Sequence, residues 1–126
     1  METLHLNLKK KWFDMILSGE KTEEYREIKP FWASALLLYE GCHQTRDFWY
    51  MLPVVFETNT LQYHKNITFK KFDTIIFSNG YAKNRPQFEM KLTGIEITIG
   101  AERWGAIDNE LYFVLSLGDF LNKKQS

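Results

Sequence analysis

One cysteine, three prolines, seven glycines and no net charge are what this 126-residue chain offers where specialised classes offer more. The single thiol, Cys42, excludes an internal disulfide, so the fold has to be held by its core, which fits a reducing, cytoplasmic setting. Three histidines at 5, 43 and 64 show no ligand spacing with Cys42, so no metal is expected and the cysteine is read as an inert structural thiol. Neither GxxxxGK[ST] nor GxGxxG occurs, and no cofactor is expected. No run of about 18 apolar residues exists for a membrane span, and METLHLNLKKKW has no signal-peptide core, so no membrane partner is expected. Balanced charge, 16 Lys and Arg against 16 Asp and Glu, excludes a chain that is strongly basic throughout.

Against these absences stand the aromatics, ten Phe, six Tyr and four Trp, more rings than a small core needs, so some are expected at the surface. The length fits one compact domain. The neutral total conceals an uneven distribution: residues 65–91 carry a net +4 and residues 92–120 a net −4.

Residues 3–8 alternate apolar and polar side chains with the period of a half-buried strand. In KKKWFDMILSGE, Trp12, Phe13, Met15, Ile16 and Leu17 fall on one broad helical face, and Gly19 suits the turn that stops the helix. Three lysines at the start of that helix oppose its dipole, so they serve solvation or an anion rather than helix stability. KTEEYREI, residues 21–28, reads as a charged strand, and PFWASALLLY, residues 30–39, as a second helix begun by Pro30 and ended by Gly41. Residues 42–66 read as an excursion packed on the core, with loop-like polar flanks HQTRD and ETNT around the apolar run FWYMLPVVF. Strand signals then follow at 71–78, 87–100 and 110–118, with a bulge or a new strand at Gly94 and a frayed tail from Asn122. This order predicts an α+β fold with a curved, barrel-like sheet.

Two constellations carry candidate chemistry. If residues 22–28 are extended, Glu24 and Arg26 share one face while Glu23, Tyr25 and Glu27 share the other. Lys21, in the turn before, is free to swing to either side. An ammonium, a carboxylate and a guanidinium then surround one small volume, although the same letters describe an edge strand kept soluble by charge. The second constellation is SNGYAKNRP, where Tyr81 supplies a ring to stack on, Asn79 and Asn84 amides to read base edges, and Lys83 and Arg85 cations for phosphate. It is equally an exposed β-turn. Trp104-Gly105 could line a pocket, although core packing is the reading preferred here.

ILSGEKTEEYRE, a helix ending in Gly followed by Lys, two residues, an acidic or hydroxyl residue and then an Arg, resembles the signature of the ASCH domains, a branch of the PUA-like folds. FDTIIFSNGY and ELYFVLSLGDF are similar to later segments of that family, in matching order, so the resemblance covers residues 1–40 and 71–120 and makes 42–66 an insertion into a single domain. It implies a PUA-like curved β-barrel with flanking helices and a cleft beside the lysine turn. It also implies single-stranded RNA or a nucleoside or nucleotide as partner, bound by Lys21, Glu24 and Arg26. One bacterial subgroup resembles small amidohydrolases acting on N4-acetylated cytidine, which would make Lys21 and Glu24 catalytic. Glu24 stands where that subgroup has a Thr, and Glu96 or Glu102 would supply its downstream Glu. A protein-interaction domain, with FWYMLPVVF as its contact surface, is the third reading.

Overall fold

The computed structural model describes residues 2–50 and 65–124. Strand β1 (Thr3–Asn7) buries Leu4 and Leu6 and turns its polar neighbours outward, as the alternation predicts. Helix α1 (Lys10–Leu17) buries Phe13 and Ile16, and Gly19, at φ +86°, accepts the left-handed turn in which its N–H donates to the Ile16 carbonyl. Strand β2 (Glu23–Glu27) is the predicted charged strand.

Helix α2 (Pro30–Leu36) is shorter than the predicted 30–39. The run Ala35-Leu36-Leu37-Leu38-Tyr39 has no polar period to favour a helix, and pairing with a later segment decides it. Leu37 turns extended, strand β3 (Leu37–Tyr39) forms, and the Leu36 carbonyl accepts from Lys70 N–H at 2.8 Å. Gly41 therefore does not end a helix. Glu40 and Gly41, with φ of +50° and +79°, form the two-residue turn of a hairpin between β3 and β4 (Cys42–His43). The flank HQTRD is likewise not a loop throughout, since His43 belongs to β4 and helix α3 (Arg46–Tyr50) begins at Arg46. Cys42 is exposed rather than structural. Of FWYMLPVVF, Phe48 is half-buried, Trp49 fully buried and Tyr50 exposed, so the beginning of the run joins the core. Residues 51–56 and ETNT lie outside the described residues.

Strands β5 (Ile67–Phe69), β6 (Thr74–Ser78), β7 (Gln87–Ile99) and β8 (Leu111–Lys124) complete the fold. Gly94 lies inside one continuous β7, next to register shifts that bend it against β8, so no new strand starts there. Asn122 to Lys124, expected to fray, instead continue β8 opposite Gln87 to Glu89.

The fold is α+β. Five strands in the order β1-β6-β7-β8-β2 curl into a half-barrel, with β1 and β6 parallel and the other pairs antiparallel. A small sheet β4-β3-β5 lies beside it. The core joins Leu6 and Phe77 of the large sheet to Phe13 and Ile16 of α1, Leu36 of α2 and Trp49 of α3. No helix among the described residues is long and apolar enough to cross a membrane.

Because Trp49 has no solvent exposure, Trp49→Ala is expected to cost about 3–5 kcal/mol in urea unfolding. A loss below about 1 kcal/mol would remove α3 from the cooperative core.

Candidate functional site

The turn after Gly19 and the first residues of β2 bring Lys21, Glu24 and Arg26 together. Lys21 Nζ donates to Glu24 Oε1 at 2.8 Å, and Arg26 reaches Glu24 Oε2 at 2.8 Å, so one carboxylate holds both cations. Lys21 is not free to swing. It is 1% exposed, and its ammonium also donates to the Glu23 carbonyl. The expected alternation along β2 holds: Tyr25 leaves the opposite face and donates to Glu23 Oε1 at 2.7 Å.

Burial pulls the Lys21 ammonium below its ordinary value, with Glu24 pulling the other way and Arg26 adding to the decrease. Burial pushes the Tyr25 hydroxyl up to about 12, helped by its bond to Glu23 and opposed by the Ala101 N–H that it accepts at 2.9 Å.

Glu24 borders a cleft of about 340 Å³, also lined by Trp12, Tyr25, Trp104, Ile107 and Tyr112. Its remaining carboxylates are Glu27 and Glu110. The segment after β7 closes over this space. A short 3₁₀ turn, Glu102–Trp104, ends at Gly105, whose φ of +102° and approach to the Trp12 ring leave no room for a side chain; an added Cβ would lie 2.9 Å from that ring. Tyr112 fixes the next turn by accepting the Ile107 N–H at 2.9 Å. Trp104 therefore lines a pocket instead of packing in the core, and Arg103 stacks on it with 4.5 Å to the ring centroid. Three donors among the described residues, Arg26 Nε, Trp104 Nε1 and Trp49 Nε1 in the core, are buried without a hydrogen-bond partner.

The second constellation does not line this cleft. Tyr81 is 89% exposed, Asn84 is exposed, and the Arg85 guanidinium donates to the Ala82 carbonyl at 3.3 Å. The Asn79 amide is engaged by the Leu8 carbonyl at 2.9 Å, which ties the loop to the entry of α1. The loop still adjoins the triad, because Arg26 donates to the Asn7 carbonyl at 3.3 Å and the Asn7 amide donates to the Gly80 carbonyl at 2.7 Å. Glu96 and Glu102 are exposed and do not line the cleft; the downstream glutamate that does is Glu110. Sequence reasoning missed Trp12, Tyr112 and Glu110. Trp12 was readable as the boundary residue of the α1 apolar face, whereas Tyr112 and Glu110 arrive only through the β2–β8 pairing.

A larger cavity of about 1060 Å³ lies between β1 and β5, lined by Thr3, Leu38, Phe69 and Lys70 among others. It is mostly apolar, and the Lys70 ammonium there is already held by the Ser34 carbonyl and His43 Nδ1, both at 2.9 Å. The smaller cleft has the denser set of polar groups and is the better candidate. No three His, Cys, Asp or Glu side chains among the described residues gather as a metal ion would need. No protein-family model matches the chain, and no match exists among curated proteins or solved structures.

Removing the carboxylate leaves a buried ammonium without its counterion, so Glu24→Gln is expected to cost about 3–5 kcal/mol at neutral pH. The variant should then regain stability as pH rises, because a Lys21 pKa below its unfolded value of 10.5 means that the folded state binds fewer protons. Urea unfolding across pH 7–10 checks both; a flat profile contradicts the assignment. Tyr25 has the opposite sign. Its raised pKa contributes stability below pH 10 that is lost as pH rises toward 12, so the stability difference between wild type and Tyr25→Phe should shrink across that interval.

Proposed function

We propose that this chain is an ASCH-type, PUA-like domain that binds RNA or a modified nucleoside in the cleft between β2 and the segment after β7. The observation that carries the reading is Glu24, whose carboxylate is gripped by two cations and which borders a cleft lined by Trp12, Trp104 and Tyr112. Aromatic rings offer a base a face to stack on, and carboxylates accept from an exocyclic amine such as that of cytosine. Each Glu24 oxygen, engaged once by a cation, keeps a second lone pair for that purpose. The orphaned Trp104 Nε1, on a ring that lines the cleft, is a donor suited to a base carbonyl. Lys21 acts in this reading by fixing Glu24 rather than by touching ligand, since it is buried and two of its three donors are taken by Glu23 and Glu24. A cytoplasmic location accords with the unpaired Cys42.

A second reading, hydrolysis of an N4-acylated cytidine, is favoured by one observation: burial brings Lys21 closer to a neutral base. Water would add to the acyl carbon, the C–N bond would break, and the proton would pass to the departing amine, giving cytidine and acetate. The carboxylate at position 24, held by two cations, makes this the weaker reading, because the resemblance would place a hydroxyl there.

Calorimetric titration with cytidine and with N4-acetylcytidine tests binding. Saturable binding is expected, weakened about tenfold or more in Trp104→Ala by loss of stacking. No binding of either compound, or binding untouched by the substitution, would overturn the proposal. Release of cytidine and acetate from the acetylated compound would transfer the assignment to the hydrolase.

A further inference from the structure

The larger cavity, of about 1060 Å³, is bounded by the small sheet on one side and by β1, an edge of the large sheet, on the other. Register decides which side chains of the small sheet face it. Leu38 pairs with His43 on β4 and with Thr68 on β5, and directly paired residues share a face, so the three form one row across the sheet. All three line the cavity. Leu37, one residue back along β3, turns the other way into the core. Lys70, two residues beyond Thr68, follows on the cavity side, while Leu4 of β1 and Phe72 before β6 supply apolar walls.

The charged residues lining this space are Lys70, Lys71 and Glu2, two cations against one carboxylate. The Lys70 ammonium is held in place by the Ser34 carbonyl and by His43 Nδ1, both at 2.9 Å. An ammonium has only donors, so Nδ1 accepts and the imidazole proton sits on Nε2. Two of the three N–H groups are used in this way, and one remains for a ligand. Burial pulls the amine below its ordinary value, with Glu2 opposing, so a further negative charge beside it is favoured. One such charge neutralises the set. The volume lies at the upper end of the roughly 300–1,000 Å³ of small-molecule sites, and apolar walls with a few convergent polar groups are their usual construction. A phosphate group fits poorly, because no arginine among the described residues lines the cavity to grip it bidentately and apolar walls leave its other oxygens unpaired.

We infer that this cavity is a second ligand site, distinct from the cleft, for a carboxylate carried on an extended apolar chain, with the carboxylate on Lys70 and the chain along Leu4, Leu38, Phe69 and Phe72. The two sites share no lining residue, so the inference stands apart from the nucleobase reading. His43 and the Ser34 carbonyl act here as positioning groups that hold the ammonium.

Calorimetric titration of the whole chain with decanoate, decanol, decylamine and octanoate tests it. Decanoate should bind saturably at one site, about tenfold or more tighter than decanol or decylamine, which lack the charged hydrogen bond to Lys70. Octanoate, two methylenes shorter, should bind about tenfold or more weakly than decanoate. Lys70→Met should abolish the preference for decanoate over decanol. Thr68→Glu places a like charge on the same face at an exposed position, and should weaken decanoate about tenfold while leaving decanol nearly unchanged. Thermal melts check folding, and Thr68→Glu keeps the test readable should Lys70→Met melt early. Trp104→Ala, in the cleft, should leave decanoate binding unchanged. Absence of saturable decanoate binding, equal affinity for acid, alcohol and amine, or a preference for the acid that survives Thr68→Glu and a folded Lys70→Met overturns the inference. Loss of decanoate binding in Trp104→Ala overturns it by moving the ligand to the cleft.

Discussion

One carboxylate shared by two cations is the constraint on which the site depends. Glu24 bonds Lys21 through one oxygen and Arg26 through the other, and all three are largely withdrawn from water. Taking charges out of water is expensive, and such a cluster persists only when each charge finds its partner. The arrangement also resolves a topological difficulty. β2 is an edge of the curled sheet and β1 is the other. Arg26, oriented by Glu24, donates to the Asn7 carbonyl and joins the two edges with a side chain where no strand pairing exists. An edge strand rich in Glu and Arg is thereby both shielded from further pairing and made part of the scaffold.

The cleft next to this cluster is assembled from pieces that no local signal unites. Trp12 comes from α1, Glu24 and Tyr25 from β2, Trp104 and Ile107 from the connection after β7, and Tyr112 from β8. Hydrogen bonds by the two tyrosines hold that connection in place, Tyr25 at Ala101 and Tyr112 at Ile107. Close packing of Gly105 on Trp12 sets the distance between helix and connection. The rings are thus held by backbone contacts and by the packing of Tyr25 on Tyr112, with 5.8 Å between ring centroids, which suits the proposed binding of a flat ligand.

Much of this was legible in the sequence, and the limits have physical causes. Alternation located β1, the helical face located α1, and the two-residue period placed Glu24 and Arg26 on one side of β2, all consequences of local geometry. Lys21 lacks the freedom that its place in a turn suggests, because Trp12, Tyr25 and Glu24 enclose it. Helix α2 is shorter than its apolar run suggests because an unbroken apolar run carries no period, and pairing with the distant segment Ile67–Phe69 and with Cys42–His43 makes its end a strand. The tail from Asn122 looks polar enough to fray, yet β7 is long enough to pair with it. Tyr112 and Glu110 were out of reach for the same reason: register across β2 and β8 is a tertiary fact.

The most direct measurement is a crystal structure of the protein soaked with cytidine. Density for the base in the cleft beside Trp12 and Trp104, its amino group within hydrogen-bonding distance of Glu24 while Lys21 and Arg26 keep their grip, is the expected result. A base seated elsewhere, or a Glu24 carboxylate turned away from both cations and facing solvent, would contradict the central claim.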